Sequence, residues 1–468
     1  TGGVVHDLLT AVNLAGTTVV DDLTVSDDLT VTDDAAIGGD LSVTGAINGV
    51  GIISNITNFS EGILISDDAS TGTLSTASYN TGFGTRVFED LTSGDSNNAF
   101  GRVALANLTT GSNNVAFGSD SLFTNTTGSN NVALGGNALQ ANTTASDSTA
   151  VGYQAAYSNT TGANSDAFGY RALYTNTTGT QNVAIGSYAN YLNTTGNYNV
   201  SLGYGALLSN TTASQNTAVG YQAGYTNTTG TRLSALGYKA LFDNTTGGYL
   251  TGLGWGALVS NTTGSYNTAV GDSALLSNTT ASYNTAVGYN ALLANTTGTR
   301  NTAVGYNALD AFTGSGTAEN TAVGFETGGA LTSGTFNTFV GGQAALATTT
   351  GSNNVALGNS ALAANTTASQ NVALGYQASY ASNSGQNVSI GYQSMLDTTS
   401  GGLNVAMGYR SMYENTTGAY NVALGHSALL NNTTASNNTA VGYQAGYSNT
   451  TGSNVTAVGR WALKANTT

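Results

Sequence analysis

The hydrophobic and polar positions of this chain follow a 17-residue period through most of its length. A clean copy occupies residues 284–300 and reads Asn-Thr-Ala-Val-Gly-Tyr-Asn-Ala-Leu-Leu-Ala-Asn-Thr-Thr-Gly-Thr-Arg. Its first glycine recurs 23 times, from Gly84 to Gly459, with one step of 19 residues and one of 16. A self-similar period this short indicates stacked repeats, in which each unit buries its apolar face only against its neighbours.

Positions are counted from that glycine, so that position −1 is the residue before it. Position −1 is large and apolar in every copy, and position −2 is small in 22 of 23, Phe339 being the exception. Because successive strand residues face opposite ways, this pattern predicts a strand with both faces buried. An alanine at position +3, usually followed by leucine, predicts a second short strand. The predicted fold class is all-β, a parallel β-solenoid (β-roll) of 17-residue coils.

The two departures from the period lie within residues 310–319 and 381–386. Both fall in the turn around Asn-Thr-Thr-Gly, where exposed backbone tolerates insertion, and we expect neither strand to change. At about 4.8 Å per coil, 23 coils would make a rod on the order of 110 Å. The column of small residues predicts a close contact between chains, and hence a homotrimer.

A shorter period of six residues occupies residues 17–50. Leu23 and Leu29 mark one apolar phase, Val25 and Val31 mark another, and pairs of aspartates separate the units. This pattern resembles the intertwined triple β-helix of bacteriophage tail-fibre and tail-spike stems. The predicted organisation is therefore an unassigned segment 1–16, a hexad-repeat stem 17–50, a transition 51–80 and a solenoid 81–468.

Composition narrows the classes of function. The 468 residues contain no cysteine and no proline, and only 7% are charged. Residues 1–100 hold 14 of the 24 acids and one base, so the repeats are almost neutral and lack the basic face that nucleic-acid binding requires. No apolar run approaches the ~20 residues of a membrane span. The chain starts at Thr1 without a signal peptide and stops within a repeat, which suggests a mature product or a segment of a longer protein.

The repeat also resembles known families. Residues 284–291, Asn-Thr-Ala-Val-Gly-Tyr-Asn-Ala, are similar to the Ser-Val-Ala-Ile-Gly-x-x-Ala pattern in the heads of trimeric autotransporter adhesins. Repeats of phage and bacterial tail-fibre proteins are similar too, and the resemblance covers residues 81–468. It implies trimers of left-handed parallel β-rolls. The unit is longer than the adhesin unit, and the 468 residues show no chaperone domain, catalytic Ser-Lys pair or coiled-coil stalk.

Two asparagine columns run through the repeats. The first, at position −4 in 18 copies, includes Asn97, Asn114, Asn131 and Asn182, and only its members Asn199 and Asn387 form glycosylation sequons. We interpret it as a turn ladder of stacked amides that tolerates a left-handed φ. The second column, at position +7 in 16 copies, always begins Asn-Thr-Thr, which meets the N-glycosylation rule at a predicted exposed turn. Its members are Asn125, Asn142, Asn159, Asn176, Asn193, Asn210, Asn227, Asn244, Asn261, Asn278, Asn295, Asn365, Asn415, Asn432, Asn449 and Asn466.

Two interpretations of the second column remain open. The threonines persist where the asparagine is lost, as in Thr348-Thr349-Thr350, which favours turn chemistry and a β-branched ladder. A glycan sheath would instead keep a nearly uncharged rod from associating laterally, since soluble surfaces usually carry about 25–35% charged residues. Measurement of the intact mass distinguishes the two.

An aromatic column occupies position +1. Its members are Tyr153, Tyr170, Tyr204, Tyr221, Tyr238, Trp255, Tyr289, Tyr306, Phe325, Tyr376, Tyr392, Tyr409 and Tyr443. Stacked aromatic side chains at constant phase form a stabilising ladder, or a surface that stacks on carbohydrate. Both interpretations are retained.

Other chemistry is sparse. The pairs Asp21-Asp22, Asp27-Asp28 and Asp33-Asp34 offer oxygen ligands for calcium, but without a glycine-rich loop a solvated acidic rim is favoured, and no metal or cofactor is predicted. His6 and His426 lie too far apart in sequence to suggest a nucleophile–base pair. We therefore expect a non-catalytic extracellular fibre, either a tail-fibre shaft or a cell-surface filament. The alternatives are an adhesin that binds glycans or host matrix along its flank, and a polysaccharide depolymerase acting through carboxylates.

Overall fold

The computed structural model describes residues 51–56, 59–66 and 74–468, and side chains from 63–65 and 74–468. All of these residues belong to one compact unit, Val50–Thr468. The hexad stem, its aspartate pairs and His6 lie outside the described residues.

The described residues form strands joined by turns. Their bounds are β1 Gly51–Ile56, β2 Phe59–Ser66, β3 Ala77–Ser78, β4 Thr81–Phe83, β5 Asn98–Phe100, β6 Val115–Phe117, β7 Val132–Leu134, β8 Thr149–Val151, β9 Asp166–Phe168, β10 Val183–Ile185, β11 Val200–Leu202, β12 Thr217–Val219, β13 Leu233–Leu236, β14 Leu250–Leu253, β15 Thr268–Val270, β16 Thr285–Val287, β17 Gly298–Thr299, β18 Thr302–Val304, β19 Gly316–Thr317, β20 Thr321–Val323, β21 Thr338–Val340, β22 Val355–Leu357, β23 Val372–Leu374, β24 Val388–Ile390, β25 Val405–Met407, β26 Val422–Leu424, β27 Thr439–Val441 and β28 Thr456–Val458.

The predicted parallel β-solenoid is confirmed. The strand before each repeat glycine pairs in parallel with its equivalent in the next coil, as when Thr285, Ala286 and Val287 pair with Thr302, Ala303 and Val304. At the start of the unit, β1 and β2 form an antiparallel hairpin. Strand β2 then pairs in parallel with β4, so part of the predicted transition segment belongs to the solenoid sheet.

The length changes leave this sheet intact, as predicted. Across the 19-residue step, Ala303 pairs with Ala322, and across the 16-residue step Ala373 pairs with Ser389. The longer loop makes its own two-residue pairing between β17 and β19 and buries Phe312 in the core. Insertions are accommodated because they extend the turn without shifting the strand ladder.

Within a single chain only one of the two strand faces is buried, although the pattern predicts burial of both. In every repeat strand position −2 is buried, whereas all 23 residues at position −1 are exposed or half-buried. Ala286 is fully buried, while Leu253 is 44% exposed. A coil of 17 residues encloses too little space for two large side chains, so alanines at −2 and +3 and leucine at +4 fill it. The small residues therefore face inward and offer no surface to a second chain, and the basis of the trimer prediction is lost.

The second predicted strand is also wrong. After the glycine, each coil runs through turns in which positions +2 and +4 adopt left-handed φ, 55° at Asn290 and 52° at Leu292. Leu292 N–H donates to Ala308 of the next coil at 3.0 Å, whereas Leu293 N–H donates back to Asn290 at 3.2 Å. Successive backbone N–H groups thus donate alternately to the next coil and to the turn within the same coil. The segment therefore curls tightly and buries its leucine without forming a strand.

The apolar core is interrupted at Asn190, which occupies the leucine position +4. Its side chain is fully buried, and both polar atoms of its amide lack a hydrogen-bond partner. One apolar cluster ends at Ala189, and the next begins at Ala206. Two unsatisfied buried atoms cost free energy, and leucine is accommodated at the same φ by Leu173 and Leu207 on either side.

We therefore expect Asn190→Leu to raise the free energy of unfolding by about 2 kcal/mol. Thermal melting followed by circular dichroism measures the change. Asn193→Leu is the matched control, since Asn193 donates to Asn176 Oδ1 at 2.7 Å and to the Gly196 carbonyl at 3.0 Å, and its loss should destabilise the protein. A lower melting temperature for Asn190→Leu would contradict the explanation.

Candidate functional site

The outward side of the strands carries a continuous apolar column at position −1. Together with position −3 of the 23 coils, this column forms what we call the strand face. Position −1 includes Phe117 at 59% exposure and Met407 at 42%. Position −3 is mainly valine or threonine, and Asp166 is the one charged residue in either column. The strand face was not predicted, because the large residues were expected to be buried.

The first asparagine column forms the expected amide ladder. Asn97, Asn114, Asn131 and Asn182 are fully buried. Asn114 N–H donates to Asn97 Oδ1 at 2.9 Å, and Asn114 Nδ2 donates to the Gly128 carbonyl at 2.9 Å. The left-handed residue is the one before this column, such as Asn113 with φ of 59°, so that part of the interpretation is wrong.

The exposure expected for the second asparagine column is wrong. Asn125 and every later member up to Asn449 are buried, and Asn466 in the last coil is half-buried. Asn244 Nδ2 donates to Asn227 Oδ1 at 2.9 Å and to the Gly247 carbonyl at 3.0 Å. The Nδ2 atom of Asn244, to which a glycan would be attached, therefore lies inside the coil, and both of its hydrogens form hydrogen bonds. These bonds explain why asparagine stabilises the turn.

The aromatic column forms a half-exposed ladder of stacked rings. Tyr221 lies 5.6 Å from Tyr204 and 5.4 Å from Tyr238 between ring centroids, and Trp255 continues the stack at 6.0 Å. The thirteen members are 39–52% exposed. His426 also belongs to this stack, since its ring centroid lies 4.9 Å from that of Tyr409. Its place at position +1 of its coil is the sequence signal that predicts this.

A second aromatic column, at position +5, runs beside the first and was missed in the sequence. Tyr157, Tyr174 and Tyr191 stack at centroid distances of 5.1 and 5.2 Å, and Tyr225 stacks on Phe242 at 5.2 Å. Position +5 also holds leucine in many coils, so its aromatic residues are harder to recognise as a column in the sequence. We call positions +1, +2 and +5 together the aromatic flank.

Cations at position +2 lie between the two columns. The Arg171 guanidinium lies 5.2 Å from the centroid of Tyr170 and 5.3 Å from that of Tyr174. Lys239 Nζ lies 5.6 Å from Tyr238 and 5.0 Å from Phe242. Each charge is held over the faces of rings, where the ring quadrupole attracts it without neutralising it.

The nine bases of the chain divide into two groups. Arg86, Arg102 and Arg300 form ion pairs with Glu89, Asp120 and Glu319. The other six each lie over an aromatic ring and, among the described residues, have no carboxylate partner within ion-pair distance. These six are Arg171, Arg232, Lys239, Arg410, Arg460 and Lys464, and all except Arg232 belong to the aromatic flank.

A notch of about 410 Å³ lies where the longer loop joins the flank. Gly329 takes the place of a large side chain at position +5, and Asp310 and Glu326 line the opening together. Burial raises the pKa of the Asp310 carboxyl, backbone hydrogen bonds oppose that change, and the charge of Glu326 adds to it. The pairing was missed because the two acids occupy different columns of neighbouring coils.

Within the described part of the chain, no three histidine or acidic side chains come together in the way that a metal site requires. Residues 51–56, 59–66 and 74–468 contain no helix long and apolar enough to cross a bilayer. Comparison of the chain with family models and with curated proteins returns no match.

Proposed function

We propose that this chain is a non-catalytic extracellular structural fibre, the shaft of a tail fibre or a cell-surface filament, assembled from several copies of itself. The observation that supports the proposal is the strand face. It presents one large apolar side chain per coil over 23 coils with a single charge at Asp166.

The size of the strand face argues that it is covered. Twenty-three coils of about 4.8 Å, each with three strand residues spanning roughly 10 Å, give on the order of 1,100 Å². A typical soluble monomer exposes an apolar patch of only about 300–600 Å². A stable protein interface buries about 800 Å² on each partner, so the strand face is large enough for one.

A second copy of this chain is the partner that fits. The strand face repeats with the coil rise, and an identical chain repeats with the same rise, so side chains can interlock along the whole length. The 19-residue and 16-residue steps leave the strand register unbroken and therefore do not interrupt the match. A homotrimer would place the strand faces around a common axis, with large residues at the contact instead of the small ones first expected.

Charges placed on the strand face should disrupt assembly. We expect the triple variant Leu202→Glu, Leu236→Glu, Leu253→Glu to sediment as a monomer, because burying three unpaired carboxylates per chain is strongly unfavourable. Analytical ultracentrifugation measures the mass and gives the number of copies in the unaltered protein. The matched control is Thr212→Glu, Thr246→Glu, Thr263→Glu, which adds the same charge at exposed turn positions. A monomeric unaltered protein, or equal behaviour of the two variants, would contradict self-assembly through this face.

A specific observation favours a second candidate, an adhesin. The stacked rings of the aromatic flank are about half exposed and lie beside unpaired cations, whereas a purely stabilising ladder needs neither feature. Assembly through the strand face and binding through the flank use different positions of the coil, so the two functions are compatible.

A further inference from the structure

The cations of the aromatic flank have unused binding capacity. Arg171 Nε donates to Gln154 Oε1 of the preceding coil at 2.8 Å, and Arg410 Nε donates to Gln393 Oε1 at 2.8 Å. Within the described residues, the two terminal nitrogens of each guanidinium have no hydrogen-bond acceptor. The hydrogen bond from Nε and the contact with the rings fix the orientation of the guanidinium. Its two terminal nitrogens are therefore already positioned for an anion, and little conformational freedom is lost on binding.

We propose that the aromatic flank binds a linear acidic polysaccharide, with Arg171, Lys239 and Arg410 as anchors for its anionic groups. The proposal rests on the adhesin form of the proposed function and names its ligand class. The stacked rings repeat every 5.1–6.0 Å along the solenoid and those at position +1 are about half exposed, so the apolar faces of successive sugars can pack against their exposed edges. Tyrosine joins an apolar ring to a hydroxyl that can form hydrogen bonds, which suits a ligand with apolar ring faces and polar substituents around them.

The distribution of charge favours a sparse polyanion. Arg171 and Lys239 lie four coils apart, about 19 Å along the axis, and Arg410 lies ten coils further on, about 48 Å. Duplex DNA carries one negative charge per about 1.7 Å, so most of its charges would find no partner on the flank. An acidic glycan carries at most one carboxylate per sugar, far fewer charges per unit length than DNA, and its sugar rings can pack beside the aromatic rings.

The same division of the bases supplies a matched pair of variants. The flank variant is Arg171→Gln, Lys239→Gln, Arg410→Gln, which removes three cations that lie over rings. The control variant is Arg86→Gln, Arg102→Gln, Arg300→Gln, which changes the net charge equally by removing three ion-paired cations. Arg86 and Arg102 occupy flank positions, but their coils have no aromatic ring at position +1 or +5. Circular dichroism melts of both variants establish that the coils remain folded.

The probes are oligogalacturonate long enough to span the fourteen coils from Arg171 to Arg410, about 67 Å, and neutral cello-oligosaccharide of matched length, with titration calorimetry at low and high salt. We expect the dissociation constant for oligogalacturonate to rise at least ~10-fold in the flank variant, the effect of losing a few exposed charge contacts of less than 1 kcal/mol each, and less than ~2-fold in the control. Equal weakening in both variants, no weakening in either, or duplex DNA binding as tightly as oligogalacturonate would overturn the proposal.

Failure of this proposal is distinguishable from failure of the adhesin function. If oligogalacturonate does not bind but cello-oligosaccharide does, and Tyr221→Ser with Tyr238→Ser abolishes that binding, the acidic ligand class is wrong and the adhesin function stands. If neither glycan binds the folded protein, the flank is not a surface for glycans of this kind, so both the acidic ligand class and the glycan-binding form of the adhesin function are wrong.

Discussion

Replacing one repeat glycine with alanine, Gly288→Ala, should lower the free energy of unfolding of the surrounding coils by about 4 kcal/mol or more. Gly288 adopts a φ of 136°, which L-residues rarely reach. A Cβ there would also lie 2.7 Å from the carbonyl carbon of Gly305 and closer still to its oxygen. The backbone itself is the obstacle, so no side-chain movement relieves the contact. Amide hydrogen exchange of the neighbouring coils reports the loss directly.

Two control glycines distinguish the steric contact of the added Cβ from the strain of the positive φ. A Cβ at Gly136 would meet Tyr153 at an ordinary 3.5 Å, with no positive φ, and Gly136→Ala should leave stability nearly unchanged. Gly459 has a φ of 118° but nothing within 4 Å of an added Cβ, so Gly459→Ala tests backbone strain alone. If Gly288→Ala unfolds no more readily than Gly136→Ala, the glycine column is not required by the backbone.

Asn244→Ala is expected to cost about 3 kcal/mol, the second large effect. The substitution removes two bonds donated by Asn244 Nδ2, and it removes the Oδ1 that accepts from Asn261 Nδ2 at 2.8 Å. Asn227 Oδ1 and the Gly247 carbonyl then lose a donor inside the coil. Chemical denaturation or thermal melting measures the difference.

A control at the same sequon distinguishes buried amide chemistry from glycosylation. Thr246 is exposed and completes the acceptor sequence Asn244-Thr245-Thr246, so Thr246→Ala abolishes the sequon without touching the ladder. We expect Thr246→Ala to melt with the unaltered protein. Equal destabilisation by Thr246→Ala and Asn244→Ala would show that the sequon matters and that the buried bonds of Asn244 do not.

The role of the Asn-Thr-Thr segment was the hardest feature to infer from sequence. Asparagine next to threonine reads as an exposed turn, because both residues favour loops and the segment tolerates insertions. In the structure the Asn-Thr-Thr segment is exposed at Thr246 and half-buried at Thr245, while Asn244 is buried inside the coil. An amide can be buried here because each coil supplies the acceptor for the next, a condition that one repeat read alone does not reveal.

The orientation of the strand face is a second feature that the sequence of one repeat does not determine. Alternation of small and large apolar residues, as in Ala286 and Val287, determines that they face opposite ways but not which way is inward. Burial was the natural expectation for the larger residue, since large apolar side chains gain more from leaving water. The coil interior is narrow, and packing volume reversed the assignment.

The sequence by itself determined the period, the number of coils, the parallel stacking and the location of both length changes in turns. These follow from local rules, because a 17-residue repeat aligns equivalent residues whatever the shape of the coil. Only the tertiary structure decided which columns are inside, that the second segment is a left-handed turn, and that Arg171 and Lys239 lie between rings. Those features depend on the curvature of the closed coil and on contacts between neighbouring coils, which the order of residues in one repeat does not specify.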